Sequence, residues 1–445
     1  MDAFRRLGWL LRQRDFRRLV GVRVPTQGAD AVIQVGMASY VLFNPQNQPN
    51  AWAIATVIAL AILPFSVVGP LISPILDRFA RQRIVIVCDL VRLGLAVAMA
   101  LLVGGARVSG AWQPWLYVLL LAALSLNRLQ LAALGAGMPF TVAADQYLDA
   151  AAVCPMIGPI SATIGGSVAG LIRLTTGELL GAPLADALVF SLAALGFLVG
   201  VGLARGFGRE QLGPRERSVL RWRTALSGFS TAFGTLRRRP VAGSAIGMVC
   251  GARLAYGLLM CMVVLLYRQH FYDASQLPRA MVAMGAWFLA SGVGYAASGL
   301  IALPLSGRFG VRATILAALG LSGLLHLFPA ALLTPPALLA AALLLGLCAQ
   351  SVKICADAVV QAHVADAARG RVMVIYDIGN NLGVVLGTVL GALLLPPDGF
   401  SRPIMLAMGC WFGCLAGLFW LLSRSRADAF DRGTARQPAA DRGPA

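Results

Sequence analysis

Three ionisable residues stand inside long apolar stretches: Asp30, Arg128 and Arg253. If those stretches cross a bilayer, each charge costs roughly 2.5–3.5 kcal/mol on insertion scales and demands a reason. Asp30 lies about eleven residues into the apolar run 19–43, or roughly 17 Å along a helix, which is near a bilayer midplane. A carboxylate held there can bind and release a proton. The alternative is a permanent ion pair with Arg128 or Arg253. A guanidinium does not lose its charge, so neither arginine is a proton carrier. Each can bind an anionic group, balance Asp30, or form a purely structural pair.

Other polar residues fall in recognisable patterns. Asp89 and Arg92 are three apart, and Lys353 and Asp357 four apart, so each pair shares one helix face. With Asp77, Arg78, Arg81 and Asp377 they fit ion pairs that close one mouth of a pathway in one state and break in another. The plainer reading is charged side chains reaching toward the headgroups. Gln34, Gln350, Asn380 and Asn381 also interrupt apolar runs, where they either line a cavity or bond to neighbouring helices. No catalytic constellation accompanies them. There is no HExxH or GxSxG, and His270, His326 and His363 are far apart in sequence, so an enzyme is not expected. The eight cysteines form no CxxC pair, which argues against zinc and against a disulfide framework.

The elements that must position these groups are apolar helices. The chain has 445 residues, 58% hydrophobic and 13% charged, with a mean hydropathy of +0.76. Soluble domains carry about 25% charged residues, so lipid must be the solvent for much of this surface. The apolar runs are continuous, not the alternating segments of a β-barrel. Windows of about twenty apolar residues place spans at 19–43, 51–76, 84–104, 113–137, 153–175, 182–204, 241–267, 280–304, 311–331, 335–360, 372–395 and 403–423. Pro64, Pro70 and Pro74 are expected to kink the second. No cleavable leader is recognised at the start, where Phe4 to Arg18 is too basic.

The net charge of +18 is a topology signal. Arginines crowd alternate connections: before span one, after span two, through 206–240, and after spans eight, ten and twelve. The opposite set holds few, among them Arg107, Arg173, Arg268, Arg279 and Arg402. By the positive-inside rule both termini are expected in the cytoplasm of a bacterial inner membrane. One connection departs from the pattern, with Asp145 and Asp149 and no basic residue after span four. No aromatic-interleaved basic groove is visible, so the charge does not point to nucleic acid.

The expected organisation is a basic amphipathic segment (1–18), a six-helix bundle (19–205), a basic linker (206–240), a second six-helix bundle (241–423) and a disordered polar tail (424–445). In the linker Trp222, Ala225, Leu226, Phe229, Phe233 and Leu236 recur at helical spacing, an amphipathic helix suited to a membrane surface. The halves echo each other. Arg23 and Arg253, and Arg78-Phe79 and Arg308-Phe309, share an offset of 230 positions, and Arg128 and Lys353 lie 225 apart. That implies duplication of a six-span unit, the plan of transporters with parallel repeats about a midplane site.

On these residues the chain resembles the major facilitator superfamily, in particular bacterial drug-exporter-like members of the actinobacterial kind. The family's loop motif between spans two and three is G-x-x-x-D-R-x-G-R-[RK]. Here the Asp77-Arg78 and Arg81 frame stands, with Ser73 and Ala80 in place of the glycines. Its second-half copy, from Gly307 to Arg312, lacks the acid. Gln27 to Asp30 with Gln34, Asn127-Arg128, Arg253 to Gly257, Lys353 to Asp357 and Arg369 to Val372 with Tyr376-Asp377 carry the narrower likeness. The antiporter motif G-P-x-x-G-G is stretched, because five residues separate Gly158-Pro159 from Gly165-Gly166. The resemblance implies an all-α protein of about twelve spans in two pseudo-symmetric bundles, working by alternating access. It implies proton-coupled export of a small organic molecule, with a uniporter or importer of a metabolite as alternative and a non-transporting receptor or scaffold as a third. Asp30, Gln34, Arg128, Arg253, Asn380 and Asn381 are assigned to proton coupling and the central cavity. Asp77, Arg78, Arg81, Asp89, Arg92, Lys353, Asp357 and Asp377 are assigned to the cytoplasmic gate. The expected partners are a small-molecule substrate, protons and the bilayer, with the protein acting as a monomer. No cofactor and no metal site are expected.

Overall fold

The structure, a computed structural model, describes residues 10–42, 50–67, 75–76, 78–105, 113–143, 147–213, 233–328, 332–426 and 430. Among these stand twelve helices of 17 residues or more. They are α1 (Arg14–Leu42), α2 (Ala51–Val67), α3 (Arg81–Gly104), α4 (Gln113–Gly137), α5 (Tyr147–Leu180) and α6 (Ala182–Ala204). The second set is α7 (Pro240–Leu265), α8 (Leu277–Phe309), α9 (Val311–Leu327), α10 (Pro335–His363), α11 (Asp366–Leu394) and α12 (Arg402–Ser423). Each coincides with one of the expected spans. Helix is the outcome because a backbone in hydrocarbon must satisfy its own N–H and C=O groups.

Eight of the helices are long and apolar enough to cross a membrane, and Val311–Leu327 and the start of α2 (Ala51–Leu60) are shorter apolar stretches. In α1 the charges Arg14, Asp15, Arg17, Arg18, Arg23 and Asp30 dilute the apolar character. Leu179 and Leu300 are 82% and 81% exposed, which suits a surface solvated by lipid.

Prolines open several helices at the first turn, where a missing N–H costs nothing: α6, α7, α8, α10 and α12 all begin this way. Gly310, at φ +88°, ends α8 and caps α9, a conformation that L side chains rarely adopt.

The chain divides into two compact units. One comprises Met1–Gln48 with Leu63–Leu226, and the other Pro49–Ile62 with Ser227–Ala445, so the boundary falls inside α2. The same internal pairings recur in each. In the first unit α1 packs on α5 and α3 on α6; in the second α7 packs on α11 and α9 on α12. The equivalent pairs are held by glycine. A Cβ at Gly165 on α5 would stand 2.7 Å from Gly28 Cα on α1. A Cβ at Gly387 on α11 would stand 2.9 Å from the Leu254 carbonyl carbon on α7. The pair Gly165-Gly166, read from sequence as part of a stretched antiporter motif, serves close backbone approach at Gly165.

One expectation needs adjustment, and two fall partly outside the described residues. The tail is not disordered throughout: Arg424–Arg426 form a short helical turn, and Phe430 is fully buried with its ring 5.3 Å from that of Phe419. Burying one aromatic side chain outweighs the polar character of its neighbours. In the linker Trp222, Ala225, Leu226 and Phe229 lie outside the described residues. The described helical stretch 233–238 exposes Phe233 and packs Leu236 on the core of the second unit. Pro64 lies within α2, while Pro70 and Pro74 lie outside the described residues.

Candidate functional site

In the first unit, polar residues from α1, α3 and α4 meet in one buried cluster. Arg92 and Asp89 are each 0% exposed and Asp30 is 3% exposed. Arg92 pairs through Nη2 with Asp30 Oδ1 and through Nη1 with Asp89 Oδ1, the latter at 3.3 Å. Nη1 also donates to Gln130 Oε1, and Gln130 Nε2 donates to Asp89 Oδ2 at 2.8 Å. Gln27 Nε2 donates to Asp30 Oδ2 at 3.3 Å and to Asn127 Oδ1 at 3.1 Å. The ring of Phe197 on α6 lies 4.1 Å from the guanidinium carbon and covers its face. Gly200, one turn further on α6, leaves room for Asp89: a Cβ there would come within 2.7 Å of Oδ2. Arg92 Nε has no hydrogen-bond partner among the described residues.

The geometry follows from helical periodicity. Gln27 and Asp30, Asp89 and Arg92, and Asn127 and Gln130 are three i,i+3 pairs, each presenting two polar groups to one side of its helix. Two carboxylates share one guanidinium. When both are ionised the cluster holds one negative charge in excess, and one proton makes it neutral.

This arrangement regroups the residues singled out from the sequence. Arg128 and Arg253 are the partners that the sequence offers Asp30 in the ion-pair alternative, whereas the partner found is Arg92 on α3. Asp89 and Arg92, expected with the gate, share the cluster with Asp30. Their position in the first half of α3 points to one mouth of the bundle, but α1 brings Asp30 to meet them. Arg128 is half-buried and engaged in an interaction of its own. Gln34 is exposed on α1.

A second buried pair went unrecognised in the sequence. Arg173 Nε on α5 lies 2.6 Å from Asp186 Oδ1 on α6, and both groups bond to Ser39 Oγ on α1, each at 2.9 Å. Arg173 falls at the end of the expected span 153–175 and is counted there with the sparse charges of one set of connections; α5 continues to Leu180 and sets it well inside the helix. The available signal was an acid, Asp186, in the opening turns of an otherwise apolar span.

Among the expected gate residues, Lys353 Nζ bonds Asp357 Oδ2 at 2.8 Å, and its ammonium lies 5.1 Å from the Tyr376 ring. Arg81 donates to the carbonyls of Ala136 and Leu212, at 2.9 and 3.0 Å, and so ties the start of α3 to the end of α4. Arg78 and Asp377 are exposed, and Asp77 lies outside the described residues.

In the second unit Arg253 Nε donates to Asn380 Oδ1 at 2.9 Å, and Asn380 Nδ2 donates to Asn381 Oδ1 at 3.3 Å. Arg253 borders a cavity of about 290 Å³ lined also by Tyr256, Phe288, Ser291, Tyr295 and Ala349. Among the described residues no group of three or more His, Cys, Asp or Glu side chains could hold a metal ion.

Comparison with known proteins agrees with this architecture. A family model described as Major Facilitator Superfamily matches residues 276–441. Two curated relatives, described as uncharacterized MFS-type transporters of Mycobacterium tuberculosis and Mycobacterium bovis, are each 29% identical over 402 residues, 89% of this chain and 88% of theirs. Among solved structures, a point mutant of the nucleoside transporter NupG superposes with a TM-score of 0.68 at 15% identity, covering 91% of this chain and 98% of that one. A bacterial homologue of the human lysosomal transporter Spinster, inward-facing and unoccupied, gives 0.62 at 16% identity over 95% and 98%. At such identities the solved structures speak to the fold alone.

Proposed function

We propose, from its likeness to the Major Facilitator Superfamily model over residues 276–441 and to MFS-type relatives 29% identical to it, that the chain is a member of that superfamily and a proton-coupled exporter of a small organic molecule, an antiporter working by alternating access. Its place would be the inner membrane of a bacterium, with both termini in the cytoplasm, as the distribution of arginine favours. The observation that carries the coupling is the imbalance around Arg92. Asp30 and Asp89 are two buried carboxylates against one permanent cation. Taking up one proton neutralises the cluster and releasing it leaves a net negative charge, so the two protonation states differ in electrostatic energy inside a dry site. A conformational equilibrium responds to such a difference when its two states solvate the cluster unequally. The Lys353–Asp357 pair of the second unit would serve at the gate on the cytoplasmic side.

The test is proton movement in proteoliposomes under an imposed pH gradient, with wild type compared against Asp30→Asn while compounds are screened. Compound-dependent proton flux that is lost in the variant supports the reading. A second reading, a uniporter or importer of a metabolite, is favoured by the tight pairing of Asp30 with Arg92, which also fits a permanent structural ion pair. It predicts compound movement with no proton flux, unchanged in Asp30→Asn, and that outcome would replace the first.

A further inference from the structure

We infer that the cavity around Arg253 in the second unit is a binding site for a small aromatic acid. The inference rests on the transporter reading and names its substrate class. Four observations converge on it.

The first is charge. Arg253 sits in the middle of α7, an apolar helix, and its guanidinium stays ionised. Its one hydrogen-bond partner among the described residues is the neutral Asn380, engaged through Nε. No carboxylate among them pairs with it. Both terminal nitrogens, the two that receive a carboxylate as a fork, are left without a protein acceptor there. Arg92 in the first unit shows the opposite case, with two carboxylates in contact.

The second observation is aromatic lining. The rings of Tyr256 and Tyr295 lie 5.7 and 5.9 Å from the guanidinium carbon, and Phe288 lines the same cavity. Rings at that distance stabilise the cation, and they offer faces and edges to a ligand ring. The third is space. About 290 Å³ is open beside the guanidinium. Small residues keep it so: a Cβ placed at Gly292 would meet nothing within 4 Å. Sites for small molecules begin near that volume, and one or two fused rings with an acid group fit the scale. The fourth is the supply of donors. Beside the neutral hydroxyls of Tyr256, Ser291 and Tyr295 on the lining, the charged donors open to a ligand are the terminal nitrogens of Arg253. A cation would meet an unbalanced positive charge at this point, and a neutral amide would leave it unbalanced.

The test uses the full chain in lipid nanodiscs, with binding measured by calorimetry and no proton gradient. The probes are 1-naphthoate, its neutral counterpart 1-naphthamide, the non-aromatic acid cyclohexanecarboxylate, and 1-naphthylmethylammonium. The expected result is saturable binding of naphthoate. Naphthamide and cyclohexanecarboxylate should each bind at least about tenfold more weakly, and the ammonium compound should not bind. Arg253→Gln should weaken naphthoate by at least about tenfold, with Arg253→Lys intermediate because it keeps the charge and loses the fork. If Arg253→Gln does not fold, Phe288→Ala supplies the same reading, with naphthoate weakened and cyclohexanecarboxylate unmoved. Equal binding of naphthoate and naphthamide, or unchanged binding in Arg253→Gln, overturns the assignment. The proton reading fails separately: naphthoate binding without compound-dependent proton flux would sink the coupling and leave this site standing. Proton flux with other compounds and no naphthoate binding would do the reverse.

Discussion

The two units place an arginine deep in their interiors and treat it in opposite ways. Arg92 is fully buried, paired with two carboxylates, bonded to Gln130 and covered by Phe197. Arg253 is half-buried, held through one nitrogen by Asn380, and open to a cavity with tyrosines beside it. The first site has more acid than base within reach; the second has a base and no acid among the described residues. A guanidinium carried into an apolar interior needs a counter-charge or solvent in either place. What differs is where its counter-charge comes from: in the first unit the protein supplies it in excess, and in the second it must come from elsewhere. The difference teaches that one recurring helical plan can hold a guanidinium against two carboxylates in one unit and leave it open to a cavity in the other.

The comparison can be broken or sharpened by substitution. The largest effect is expected at Arg92. Arg92→Gln leaves two buried carboxylates facing each other and should destabilise the protein by about 3–5 kcal/mol, read by thermal or denaturant unfolding in detergent. A loss below about 1 kcal/mol would show that the cluster is not electrostatically tight. Next comes the double substitution Asp30→Asn with Asp89→Asn, which strands the guanidinium and should cost roughly 2.5–3.5 kcal/mol. Either change alone should cost about 1 kcal/mol or less, since one remaining carboxylate balances Arg92. If a single change costs as much as the double one, two carboxylates do not share the guanidinium. Arg253→Gln, removing a cation with no acid to strand, should change stability by about 1 kcal/mol or less. The same unfolding assay therefore separates the two arginines. Smallest of all is Lys353→Met: Lys353 and Asp357 are 21% and 27% exposed at their side chains, so the pair should contribute about 0–1 kcal/mol. A larger loss would mean that the pair holds the folded state rather than poising a gate.

The sequence by itself determined the twelve helices, because a backbone in hydrocarbon has to bond to itself and the length of an apolar run sets the length of its helix. It also marked Asp30, Arg128 and Arg253 as costly, since the penalty for a mid-span charge depends on composition alone. Even the cluster left a trace, in the three i,i+3 polar pairs on α1, α3 and α4. Tertiary structure alone decided the partners. Arg128 lies two residues from Gln130, yet the partner of Asp30 is Arg92, because pairing depends on which helix faces meet and not on how deep a residue lies in its own span. It also decided that Arg173 and Asp186 form a buried pair bonded to Ser39, which needed faces of α1, α5 and α6 to meet. And it left Arg253 without an ion-pair partner among the described residues while setting rings beside it, because the cavity is formed by residues of α7, α8 and α10 that are distant in sequence and adjacent only once the helices pack.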